Sequence, residues 1–245
     1  MEKETFEEKE SIVSREDVLR MLDSFLREEA PWWDRFYEDR EKDVPFFVNA
    51  PDENMVRHFE EGRLRPGRAL DLGCGPGRNA LYLAGAGCEV DAVDLSQKGL
   101  DWARDRAAER KADIRFRHGN AFELDFPPHA YDIVYDSGCF HHVPPHRRET
   151  YLDLLDRVLK PGGHFGLTCF AGGIGYTSEL SDWDVYRQNS LRGGLGFHDA
   201  KLRAIFNRFE VVEMRMMKPV EQPADRFGVS FLWTALFRRP APPSP

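Results

Sequence analysis

The chain has 245 residues, a formal net charge of −8, 41% apolar and 12% aromatic residues. This supports a full core in one α/β domain with additions and excludes global disorder. The acidic balance, without a long basic run, disfavours nucleic acid, which is held largely by Lys and Arg on phosphates, and favours a small-molecule substrate.

Residues 1–11 read as a disordered tail. The acidic stretch from Met1 to Glu10 lacks the basic-then-apolar order of a signal peptide, and no segment is long and apolar enough to span a bilayer. A cytoplasmic protein without a membrane partner is expected. Val18, Leu19, Leu22, Phe25 and Leu26 recur at helical spacing from Arg15 to Glu29, and Pro31 is read as an interruption. Trp32, Trp33, Phe36, Tyr37, Phe46 and Phe47 crowd the next stretch. A short helix is predicted from Asp52 to Glu61, ending at Gly62. Residues 12–66 therefore form an N-terminal helical and aromatic cover.

From Arg68 strand and helix alternate. Strands are predicted at Ala69–Leu72, Glu89–Asp94, Ile114–His118, Tyr131–Asp136 and Phe165–Phe170. Helices are predicted at Arg78–Ala84, after Asp94 through Ala108, and at Pro145–Leu159, stopped by Lys160-Pro161-Gly162-Gly163. Such repeats mean a parallel sheet with right-handed crossovers. Residues 171–196, rich in Gly and Ser, are too long for an ordinary connection and read as a lid insertion. A helix at Asp199–Phe206 and strands at Val211–Met214 and Phe231–Phe237 follow, with a hairpin-like turn at Arg226-Phe227-Gly228. The main domain spans residues 67–239, and residues 240–245 are a second disordered tail. Cys74, Cys88, Cys139 and Cys169 form no CxxC pair. They predict reduced, packed thiols, with no disulfide framework or metal site.

The most informative segment is Asp71-Leu72-Gly73-Cys74-Gly75-Pro76-Gly77. A glycine turn after the first strand lets a ligand approach the backbone closely. A dinucleotide fingerprint requires a third glycine where this chain has Arg78. Pro76 also removes an N–H donor, and Asp71 suits a cationic amine better than a phosphate. Asp94, ending the second strand, is placed to accept from ribose hydroxyls. The alternative is a helix cap, a role that Ser96 can fill. Gly119-Asn120-Ala121-Phe122 follows the third strand, and Asp136-Ser137-Gly138-Cys139-Phe140-His141-His142 follows the fourth.

The D-x-G-x-G-x-G loop, Asp94, Asn120 and Leu159-Lys160-Pro161-Gly162-Gly163 resemble the motifs of class I S-adenosylmethionine-dependent methyltransferases over residues 68–170. The resemblance implies a Rossmann-like, doubly wound, mostly parallel seven-stranded sheet with an antiparallel last strand. It implies S-adenosyl-L-methionine as cofactor, held by Asp71, Gly73, Cys74, Gly75, Asn79, Asp94, Leu95, Asn120, Ala121, Phe122, Asp136 and Ser137. Phe122 is equally readable as core.

A sulfonium methyl is already activated, so the protein mainly positions the reactants. A general base is needed only if the nucleophile enters protonated. His141, His142 and Asp136 are the candidates, with packing as the alternative for the histidine pair; His146 is expected to be solvated at a helix start. Trp33, Phe46 and Phe47 of the cover, with Tyr176, Trp183, Tyr186 and Arg187 of the insertion, are candidate substrate walls. The cover loosely resembles that of thiopurine, thiol or halide, and tellurite-resistance-type methyltransferases, although Ser137 stands where those families have Arg. A thiol, chalcogen or similar small heteroatom nucleophile is the expected acceptor. A dinucleotide-binding oxidoreductase and a non-catalytic cofactor-binding subunit are the alternatives.

Overall fold

The apolar alternation along the first strand sets the architecture. In the computed structural model, which describes residues 11–174, 179–221 and 225–241, β1 (Arg68–Leu72) lies mid-sheet. Leu70 and Leu72 join Val134, Leu155 and Leu167 in one core cluster. Ala69 joins Ile133, Tyr135 and Leu83 in another. Successive strand side chains point to opposite faces, so each face carries its own core.

The other strands are β2 (Glu89–Asp94), β3 (Ile114–His118), β4 (Tyr131–Ser137), β5 (Leu159–Phe170), β6 (Glu210–Met216) and β7 (Leu232–Arg238), in the order β3-β2-β1-β4-β5-β7-β6. The pairs from β3 through β5 are parallel. β7 is antiparallel to both β5 and β6. This is the predicted Rossmann-like sheet with an antiparallel last strand. β5 begins at Leu159, earlier than predicted. Its Lys160–Gly163 stretch is absorbed by a register irregularity opposite Tyr131 and Ile133.

The connecting helices are α4 (Arg78–Gly85), α5 (Gln97–Arg110), α6 (Arg148–Val158), α7 (Asp182–Arg187) and α8 (Asp199–Ile205), preceded by α1 (Arg15–Asp23), α2 (Glu29–Glu38) and α3 (Glu53–Glu60). Ser14 and Asp17 form a reciprocal cap on α1, which satisfies otherwise orphaned amides. Ser96 caps α5 through the N–H of Gly99 at 3.0 Å.

The cover departs from its predicted form. Its helix breaks after Asp23, and α2 runs through the aromatic stretch with Pro31 in its first turn. Proline is tolerated there because the first amides have no intrahelical acceptor. α3 places Met55 in the same core cluster as Ala69 and Leu83, so cover and sheet share a core. Arg226-Phe227-Gly228 is not a hairpin turn. Phe227 pairs with the N-terminal segment, donating to Pro51 O at 2.7 Å and accepting from Glu53 N at 2.8 Å.

Asp52, the bridge partner of Phe227, is fully buried and meets Arg78 at 2.6 Å. Removing one partner of a buried pair leaves an uncompensated charge. Arg78→Met should therefore lose about 3–5 kcal/mol in urea unfolding, and adding Asp52→Asn should restore part of it. An unchanged midpoint in Arg78→Met would count against this account.

Candidate functional site

The carboxyl ends of β1, β2 and β4 converge beneath the glycine loop. Gly73 and Gly75 both have positive φ, at 65° and 48°. A Cβ at Gly73 would lie 2.7 Å from Cβ of Cys139, and one at Gly75 would lie 2.6 Å from the Tyr37 hydroxyl. Glycine is required at both for conformation and for close approach. Asp94 Oδ2 accepts from Gly75 N at 2.7 Å and Oδ1 from Ser96 N at 2.8 Å. Burial pushes the Asp94 carboxyl up to about 6, opposed by those two amides. Asp94 thus shapes the loop, while Ser96 is the α5 cap.

Asp71 is 1% exposed and lies under the first turn of α4, where it accepts from the Ala80 amide. Its Oδ2 is buried without a hydrogen-bond partner. Asn79 reaches the cover instead, accepting from Asp52 N at 3.0 Å. Cys74 is buried, and Leu95 is half-buried with its carbonyl 3.0 Å from His118 Nε2. Asn120 accepts from Phe122 N at 3.0 Å, closing a turn after β3. Ala121 and Phe122 pack partly against the main core. Ser137 accepts from Arg78 Nη2 at 2.9 Å.

Asp136 is fully buried, with both oxygens engaged. Oδ1 takes Cys139 N at 2.9 Å and Phe140 N at 3.2 Å, and Oδ2 takes the Tyr151 hydroxyl at 2.7 Å. Burial raises its carboxyl to about 6 against these bonds. These contacts staple the turn carrying Cys139–His142 and leave no free carboxylate for a base.

That turn presents His141 and His142 with ring centroids 4.4 Å apart. His141 stacks on Phe170 at 3.8 Å, and the Trp33 ring meets His142 edge-on at 4.8 Å. Nδ1 of each histidine is buried without a partner. Burial pushes His141 well below the usual imidazole range and His142 down to about 3, so both are neutral near pH 7. The insertion reaches the same place, because Leu195 N donates to His141 O at 2.8 Å.

Several predicted wall residues lie elsewhere. Trp183 is 75% exposed, so its indole faces solvent. Tyr176 lies outside the described residues. Arg187 pairs with Asp184 on the surface. Phe47 stacks on Tyr37 at 5.8 Å, while Phe46 stacks on Phe36 and packs beside Met217 and Phe227.

His146 is not solvated; its side chain is 6% exposed. Nε2 meets Asp23 Oδ1 at 2.8 Å and Nδ1 meets the Tyr186 hydroxyl at 2.7 Å. With the proton on Nε2, it donates to Asp23 and accepts from Tyr186. Arg147 also holds Asp23, with Nε 3.0 Å from Oδ2, and Arg148 holds Asp182 at 2.7 Å. One short segment after the histidine pair therefore fastens both the cover and the insertion. No local pattern signals these contacts, since their partners lie 34 to 124 residues away.

The glycines, the orphaned Asp71 oxygen and Asp94 at the β2 end suit a nucleoside cofactor bearing a positive charge. A methyltransferase domain model matches residues 69–163. The 27-O-demethylrifamycin SV methyltransferase of Amycolatopsis mediterranei is 37% identical over 111 residues, 44% of this chain and 40% of that protein. This chain therefore matches less than half of that relative's length. An uncharacterized methyltransferase of Schizosaccharomyces pombe is 33% identical over 123 residues, 50% of this chain and 83% of that protein. Among solved structures, the Burkholderia thailandensis 1,6-didemethyltoxoflavin-N1-methyltransferase contains its substrate and S-adenosylhomocysteine. It shares the fold with a TM-score of 0.61 at 20% identity, over 94% of this chain and 92% of that one.

The depressed histidines carry a pH signature. The unfolded chain takes up protons at His141 and His142 below about pH 6.5, while the fold resists them. Their stabilising contribution is complete above that pH and is lost as pH falls toward 3. The raised carboxyls of Asp94 and Asp136 act in the opposite sense, so the comparison uses a variant. His142→Asn should lose less stability than the parent between pH 7 and 5 in urea titrations. Parallel losses would contradict the assignment.

Proposed function

Because the chain belongs to the class I S-adenosylmethionine-dependent methyltransferases, we propose that it methylates a small-molecule heteroatom nucleophile, with a thiol or chalcogen as the first choice. When bound, the cofactor supplies an electrophilic methyl on a sulfonium. In the balanced reaction, X–H gains the methyl on X, the cofactor leaves as a neutral thioether, and one proton is released.

The observation that carries the reading is the pair of buried, neutral imidazoles beside Phe170 and Trp33. An imidazole whose conjugate acid has been pushed down to about 3 is a poor base for an alcohol. It can accept a hydrogen bond at the unpartnered Nδ1 and orient an acceptor that ionises readily or offers a lone pair. Thiols and selenols meet that requirement. The aromatic walls provide low-dielectric surroundings, which favour dispersal of the sulfonium charge.

An acidic hydroxyl on a planar ring is the second reading. The flat face of Phe170 beside His141 suits a ring, and the A. mediterranei relative is named for an O-methylation. We assign Asp71, the glycine loop, Asp94 and Asn120 to the cofactor. Asp136 acts as a positioning residue through the turn it staples.

Methyl transfer from labelled cofactor should be highest with thiols, selenols or phenols, and its rate should rise with ionisation of the acceptor. His142→Ala should lower kcat about 100-fold, the scale of a lost positioning contact, with cofactor affinity unchanged. A preference for aliphatic alcohols or amines would overturn the reading. Asp94→Ala should weaken cofactor binding about 10-fold by calorimetry, the scale of one lost charged hydrogen bond; unchanged affinity would refute its assignment.

A further inference from the structure

Three carboxyl groups crowd the site with one guanidinium among them. Asp52, Asp71 and Asp136 are each at most 1% exposed. The groups facing Asp71 are Arg78 from α4, Asp52 from the cover, Asp136 from β4, and the thiols of Cys74 and Cys139. Arg78 is the cation among them, and it lies on Asp52.

The three carboxyls are unequally supported. Asp52 has Arg78 at 2.6 Å, the Tyr135 hydroxyl at 2.8 Å and the Thr168 hydroxyl at 3.2 Å. Asp136 has two amides and the Tyr151 hydroxyl. Asp71 has the Ala80 amide, and its Oδ2 is buried without a partner. If all three ionised, two excess negative charges would sit in a low-dielectric volume. Buried groups avoid that cost by taking a proton, and the least supported carboxyl does so first.

We propose that Asp71 carries a proton in the cofactor-free protein and releases it to solvent when the positively charged cofactor arrives, so that cofactor binding is coupled to proton release. The direction of its titration agrees, since burial and the two neighbouring carboxylates raise it to about 8 despite Arg78. The sulfonium and ammonium charges supply the counter-charge that the site lacks, and ionised Asp71 then attracts them. The thioether product has lost the sulfonium charge and keeps the ammonium, so it releases a smaller fraction of a proton. Discrimination of cofactor from product therefore grows as pH rises toward 8. The inference rests on the cofactor and is independent of the acceptor's identity.

Isothermal titration calorimetry at pH 7, in two buffers of different ionisation enthalpy, tests the coupling on the full chain. S-adenosylmethionine should release roughly 0.4–0.9 proton, as expected for a group near 8 shifted to 7 or below. Its affinity should rise up to about 10-fold per pH unit between pH 6 and 7. S-adenosylhomocysteine should release less. Asp71→Asn keeps an acceptor for the Ala80 amide and should bind with buffer-independent heat and a normal circular dichroism spectrum. Buffer-independent binding by the parent, equal release with cofactor and product, or release that survives in Asp71→Asn would overturn the proposal. Failure to bind either ligand would instead remove the cofactor assignment beneath it.

Discussion

The Arg78 guanidinium is the contact on which the rest of the site depends. It meets Asp52 at 2.6 Å, Ala50 O at 3.2 Å and Ser137 Oγ at 2.9 Å, and lies 4.4 Å over the Phe227 ring. One side chain thus joins the cover, the glycine loop's helix, the end of β4 and the approach to β7. A planar guanidinium with five donors can serve several acceptors at once; an ammonium at this position would lose that geometry. The contact also sets the local charge balance. By pairing with Asp52, it leaves the buried Asp71 Oδ2 without a partner of its own.

The second constraint is dryness around the histidine pair. Phe170 and Trp33 line the histidine pair, and the insertion backbone lies against His141. The segment containing His146, Arg147 and Arg148 anchors both covering pieces immediately after those histidines. Its bonds are partly buried and engage ions, so they are stronger than neutral surface contacts. Placement of the cover, placement of the insertion and neutrality of the imidazoles therefore have a common structural origin.

Much of the sheet was legible because its signals are local. The β-α alternation from Arg68 to Phe170 could be read from apolar runs and turn residues; the largest departure is β5, which starts at Leu159 instead of Phe165. Ser96 was legible as the cap of α5, since it acts on a near neighbour in the chain, whereas the hold of Asp94 on the Gly75 amide, across the neighbouring strand, was not anticipated. Helix α2 was missed because Pro31 reads as a break, although proline fits a first turn. Trp183, a candidate substrate wall, is exposed to solvent, and His146, expected to be solvated, is buried. Residue type alone cannot order them, because burial depends on which distant segment packs above.

By itself the sequence determined the class of fold and the cofactor. A strand, a tight glycine turn and a carboxylate at the next strand's end are short-range patterns whose geometry follows from backbone sterics and strand periodicity. The tertiary structure decided how Asp71, Asp136 and Arg78 divide their work. It set Asp71 under α4, divided the oxygens of Asp136 between the Cys139 turn and Tyr151 of α6, and aimed Arg78 at Asp52. It also brought Trp33, Phe170 and Leu195 around the histidine pair. Such assignments depend on desolvation and on partners far away in the chain. Neither is encoded in spacing along a strand or helix, and both arise only once the cover, sheet and insertion have packed together.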